Sequence, residues 1–159
     1  MPASMDIFDL LLVSAATIFH LSIVGVYIAE KRGRDRLVRA FGTVTLALAL
    51  PLAIVFVHYI ISGEAQWKLV AFGFIFLYLL TEFLLDFVWK IPFRQKPIPH
   101  TLYIILFYIA IIGFIRMSFA VDRVWGYVVS ISFWILLGAL IYNLAGQKKK
   151  GTLSTARRE

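Results

Sequence analysis

Two carboxyls four residues apart, Glu82 and Asp86, interrupt an otherwise apolar stretch, TEFLLDFVWK at 81–90. On an α-helix, side chains at i and i+4 lie one above the other. The spacing therefore predicts a stripe of Tyr78, Glu82, Asp86 and Lys90. A carboxyl inside hydrocarbon is expensive, and it needs a partner or a role such as proton acceptance or cation binding. Asp86 has an available partner in Lys90, one turn on. Glu82 has none in its own segment, so it is the group that calls for chemistry.

Depth supplies a candidate partner. His20 sits near the middle of the first apolar run, and Glu82 lies three residues from the middle of the third. At about 1.5 Å per residue the two are within roughly 5 Å of the same level. We expect an inner polar layer of His20, Glu82 and Asp86, with His20 either the partner of Glu82, as proton relay or metal ligand, or a neutral imidazole satisfied between helices. A second, outer layer is expected to hold His58 and Arg116, with Arg116 reaching Asp122 or Glu64.

Other chemistries are poorly served. The chain has no cysteine, which removes thiolate catalysis, disulfides and iron–sulfur ligation. His20 and His58 differ in predicted depth by roughly 10–14 Å, too far to ligate one haem from both sides. A metal held by His20, Glu82 and Asp86 has suitable ligand types but no diagnostic spacing. No GxSxG, HExxH or Walker A pattern occurs. No cofactor or metal is expected, and the sequence leans against an enzyme without deciding it.

These residues must be positioned by membrane helices. Of the 159 residues, 61% are hydrophobic, against about 45–50% in a soluble domain. The mean hydropathy is +0.86. Five apolar runs, at 10–29, 40–61, 69–89, 101–121 and 124–146, each reach the ~20 residues needed to cross ~30 Å of hydrocarbon. They predict an all-α, five-helix polytopic bundle over 1–146, followed by a polybasic tail at 147–159. Pro51 should kink the second helix. The segment 91–100, with Pro92, Pro97 and Pro99, should form a stiff extended turn. Stripes Thr45–Ala49–Ala53 and Ser130–Trp134–Gly138 read as helix-packing faces.

Charge predicts orientation. The formal net charge is +7, and 13 of the 16 Lys and Arg residues fall in alternate connections. These are 30–39, the loop after the third helix, and the tail, leaving Lys68, Arg116 and Arg123 on the other side. The asymmetry places the N-terminus outside and the C-terminus in the cytoplasm of a plasma-membrane protein. Such clusters suit anionic lipid headgroups, not nucleic acid. The N-terminus lacks the basic n-region of a removable signal peptide. A homo-oligomer or larger membrane complex is compatible with this design.

Three functional classes follow. The first is a transport or membrane-complex component using Glu82 as a proton- or cation-responsive group. The second is a structural or assembly protein whose polar residues only join helices. The third is a membrane-embedded lipid- or quinone-linked enzyme or redox subunit. The charge asymmetry makes one direct prediction: fluorescent protein fused after Glu159 will fold and fluoresce, whereas a periplasm-dependent phosphatase at the same position will be inactive. The opposite pattern would reverse the orientation.

Overall fold

The computed structural model describes residues 6–88 and 97–156, with side chains for 6–85, 88 and 101–145. Every regular element among the described residues is helical. They are α1 (Ile7–Lys31), α2 (Asp35–Ala47), α3 (Ala49–Ile61), α4 (Gln66–Glu82), a π-helical segment (Phe83–Val88), α5 (Pro97–Val121) and α6 (Arg123–Ala156). Five stretches are long and apolar enough to cross a membrane: Ile7–Lys31, Asp35–Ile61, Gln66–Leu85, Thr101–Val121 and Arg123–Ala145. Large apolar side chains also cover the outward faces, among them Leu50, Ile61, Ile112 and Trp134. In water such faces would be a liability; in hydrocarbon they are the solvated surface.

Local chemistry explains where helices stop. Gly33 and Gly63 both have φ of 66°, the left-handed conformation that glycine adopts without a Cβ penalty. Around each, the backbone closes a Schellman motif. Arg34 N–H donates to Ala29 O at 3.0 Å and Gly33 N–H to Glu30 O at 3.0 Å; Glu64 N–H donates to Tyr59 O at 3.0 Å and Gly63 N–H to Ile60 O at 3.3 Å. The last carbonyls of α1 and α3 are thus satisfied, and each chain turns back within a few residues. Asp122 accepts the Val124 N–H at 2.7 Å and caps α6.

Pro51 acts one turn upstream of its own position. Lacking an N–H, it cannot donate to the Ala47 carbonyl, and the helix breaks at Leu48 between α2 and α3. The interruption is confined to Leu48, which keeps right-handed helical angles (φ −64°, ψ −15°), so Asp35–Ile61 still forms one membrane-length stretch. One other expectation is corrected. Residues 97–100 do not belong to an extended turn; they form the first turn of α5, where proline is tolerated because those N–H groups have no helical acceptor. Residues 91–96 lie outside the described residues. The helix of the last span also runs beyond the membrane-length stretch to Ala156, so the basic tail from 147 to 156 continues α6.

α1 is the hub, packing against α6, α2, α3 and α5, while α4 packs mainly on α5. The core runs along α1 through Leu12, Ala16 and Phe19 to Phe72, Ile75, Phe107, Phe114 and Leu136, all at most 5% exposed. Close approaches use small residues, though not all of those expected. Thr45 is buried, but Trp134 is 68% exposed and Gly138 has open space beside it, so that stripe faces outward. One tight crossing is at Gly25, where an added Cβ would meet the Phe41 ring of α2 at 2.8 Å.

Gly25→Leu should therefore force the Phe41 ring away and separate α1 from α2, at a cost of about 1–3 kcal/mol. The expected result is a clearly lowered Tm in detergent, with Gly138→Leu, which adds bulk to open space, near wild type. Equal Tm values for the two variants would contradict the close α1–α2 crossing.

Candidate functional site

Glu82 closes the last α-helical turn of α4, half-buried against α5. Tyr103, on α5, donates its hydroxyl to the Glu82 carboxylate through a short hydrogen bond. Tyr78, one turn before Glu82, lies 3.1 Å from the Tyr103 oxygen and 3.5 Å from the carboxylate. Each phenol has one proton to give. Tyr103 gives its proton to Glu82, so Tyr78 is best used as donor to Tyr103. The result is an ordered chain, Tyr78 to Tyr103 to Glu82, running from the buried core to a partly exposed carboxyl. Tyr78 is 1% exposed.

The backbone changes type at this point. Phe83–Val88 is π-helical, with the wider i→i+5 turn that is rare and frequently found at functional sites. The backbone of the expected stripe is α-helical from Tyr78 to Glu82 and π-helical from Phe83 on. Asp86 lies in the π segment; its side chain, together with the whole of Lys90, lies outside the described residues.

His20 is in the core but not with Glu82. It is fully buried, and its Nδ1 is 2.7 Å from Ser132 Oγ on α6. Ser132 donates its single proton to Val129 O at 2.7 Å, so its lone pairs receive a proton from His20 Nδ1. This assigns the neutral Nδ1–H tautomer. Nε2 has no hydrogen-bond partner among the described residues. Phe19, Phe114 and Phe133 surround the ring at centroid distances of 5.9–6.3 Å. His20 and Glu82 thus sit in separate pairings, His20 with Ser132 on α6 and Glu82 with Tyr103 on α5. Shared depth did not imply shared face: Phe19, next to His20, is the residue that touches Tyr78, at 5.7 Å between ring centroids.

The far end of the bundle holds a second polar group. His58 Nε2 is 3.3 Å from Asp6, and its ring stacks on Phe8 at 3.7 Å. Tyr59 donates to Asp9 at 2.7 Å. Lys68 bonds Glu64 at 2.8 Å and lies over the Tyr59 ring. That hydrogen bond holds the Glu64 carboxyl below its ordinary value. Its stabilising effect is thus present above the usual carboxylate range and fades as pH falls through the lowered value. Glu64 is over a third exposed, so the effect is small. Arg116 lies elsewhere, over the Trp67 ring at 4.6 Å. Its expected partners are engaged, Asp122 as the α6 cap and Glu64 with Lys68. His58 and Arg116 therefore have different neighbours and form no shared site.

Sequence reasoning missed Asp6, Asp9, Ser132 and the Glu30–Asn143 hydrogen bond of 2.8 Å. Asp6 and Asp9 begin a helix that starts three residues before the apolar run, and acidic residues at that position are an N-terminal helix signal. Tyr59 and Tyr103 are donors to half-buried carboxyls, Asp9 and Glu82. Among the described residues no three His, Asp or Glu side chains converge as a metal site. No protein-family model, curated protein or solved structure matches the chain. The site's chemistry therefore rests on its geometry alone.

Removing Ser132 isolates what it does for His20. Ser132→Ala leaves both ring nitrogens without their side-chain partner, and should destabilise by about 0.6–2 kcal/mol. The expected observation is a lowered Tm with the helix content by circular dichroism unchanged. A neutral result would mean that the hydrogen bond is not formed in the membrane.

Proposed function

We propose that this small integral membrane protein works through Glu82 as a proton-accepting or cation-responsive carboxyl, in a transport or membrane-complex role. The observation that carries the reading is the phenol chain Tyr78–Tyr103–Glu82 ending where α4 becomes π-helical. A carboxylate fed by hydroxyl donors can take up a proton and pass its hydrogen bonding back along the chain without moving a helix. A π turn provides room for such a rearrangement, because its i→i+5 bonding can revert locally to the i→i+4 pattern. The half-buried setting of Glu82 gives access that the sealed His20 lacks. The charge asymmetry supports an N-terminus outside and a cytoplasmic C-terminus in the plasma membrane, which puts Glu82 toward the cytoplasmic side.

A second reading, a structural or assembly protein, draws support from a specific pattern. His20–Ser132, Glu30–Asn143 and Tyr59–Asp9 each join two helices and need no further role.

The two readings separate in one experiment. The protein is reconstituted into liposomes holding a trapped pH dye, and a potassium diffusion potential is imposed. Under the proton-linked reading, dye response exceeds that of empty liposomes and Glu82→Gln returns it to the empty-liposome level. Asp9→Asn keeps the wild-type response. Wild-type flux equal to that of empty liposomes would remove proton transport and leave the structural reading.

A further inference from the structure

A groove of about 570 Å³ opens on the side of the bundle between the α2–α3 break and α4. Its walls include Leu46 and Ala49 on either side of the Leu48 break, Gly73, Phe76 and Leu80 along α4, and Phe83 at the start of the π-helical segment. The volume lies within the roughly 300–1,000 Å³ of small-molecule sites. The α4 wall extends over ten residues, about 15 Å along the helix. The groove exists because of two residues. Pro51 breaks the helix at Leu48, and Gly73 leaves open space where a side chain would stand.

Every side chain named in the groove is apolar, yet its approach from the basic end of the bundle is not. Arg36, Arg39, Thr43 and Leu46 follow i, i+3, i+7 and i+10 spacing on α2, which is one helix face. Arg39 is seven residues from Leu46, about 10 Å along the axis. Both arginines are exposed, and among the described residues neither has an ion pair. A ligand that fits has an apolar chain about as long as the groove and an anionic head at its basic end.

We infer that the groove is a binding site for one anionic phospholipid, with an acyl chain against Gly73 and Leu46 and the phosphate at Arg36 and Arg39. A second copy of the chain fits less well. Two-fold pairing through this face would set the same arginines of both copies side by side, and like charges oppose that arrangement. A neutral lipid would use the apolar walls and leave the arginines without a counter-charge. The inference is independent of any role for Glu82.

The test is native mass spectrometry of the delipidated full chain in detergent, titrated with dioleoyl phosphatidylglycerol or dioleoyl phosphatidylcholine. The first phosphatidylglycerol should bind more tightly than the first phosphatidylcholine, by about fivefold for each arginine. Arg36→Gln with Arg39→Gln should bring the two lipids to the same affinity. Gly73→Phe fills the groove from an open position and should weaken the first site for both lipids several-fold, while Gly138→Phe, also at an open position, should not. Circular dichroism and Tm confirm that each variant is folded. Equal affinity of the wild type for both lipids, or no effect of Gly73→Phe, would overturn the site. A dimer that Gly73→Phe dissolves would assign the groove to a second copy instead.

Discussion

A polar side chain in hydrocarbon has no water to turn to, so it must find its hydrogen bond on a neighbouring helix. Much of this bundle follows from that constraint. Asp9 meets Tyr59, His20 meets Ser132 and Glu30 meets Asn143, joining α1 to α3 and twice to α6. Asp6, the residue that begins α1, meets His58. Hydrogen bonds of this kind average about 0.6 kcal/mol within membranes. A handful of them cannot hold five spans together. What they can do is fix rotation and register, because a helix turned out of place would leave a buried polar atom unpaired. Cohesion comes instead from packing of the apolar core along α1, where small residues such as Ala16 and Gly25 let neighbours approach.

The Glu82 pairing differs in kind. It joins α4 to α5 through two hydroxyls in series, and it sits at a change of helical type. A pairing that only fixed register would need neither the second tyrosine nor the π turn. This contrast separates a candidate working group from the structural ones, and it is drawn from arrangement, since residue types are alike in both.

Helix irregularities have a common consequence. The break before Pro51 and the widened turn after Glu82 lie on α2–α3 and α4, the elements that flank the groove. Regular helices would close against each other along their length. Here α3 meets α4 through Phe56, Tyr59 and Phe72, while α2 touches α4 only sparsely and a lateral opening remains beside them. The same departures from regular geometry that mark the carboxyl therefore also shape a surface for an amphiphile.

Composition and periodicity were enough to read the all-helical class and the five spans, because the need to satisfy every backbone group in hydrocarbon allows few alternatives to a long apolar helix. The interruption before Pro51 could be read from the missing N–H, and the turns at Gly33 and Gly63 follow from conformations that glycine alone adopts freely. Glu82 could be picked out as the unexplained carboxyl by depth. Its neighbour could not. Depth is one coordinate along a helix; partnership also needs the rotation of each helix and the choice of adjacent helix, and both are set by packing of the whole core. Only the tertiary structure turned His20 toward Ser132, brought Tyr103 rather than His20 to Glu82, and widened the helix between Glu82 and Asp86. The one-dimensional pattern carries burial and length, whereas the pairing of polar groups is decided by which helix faces meet.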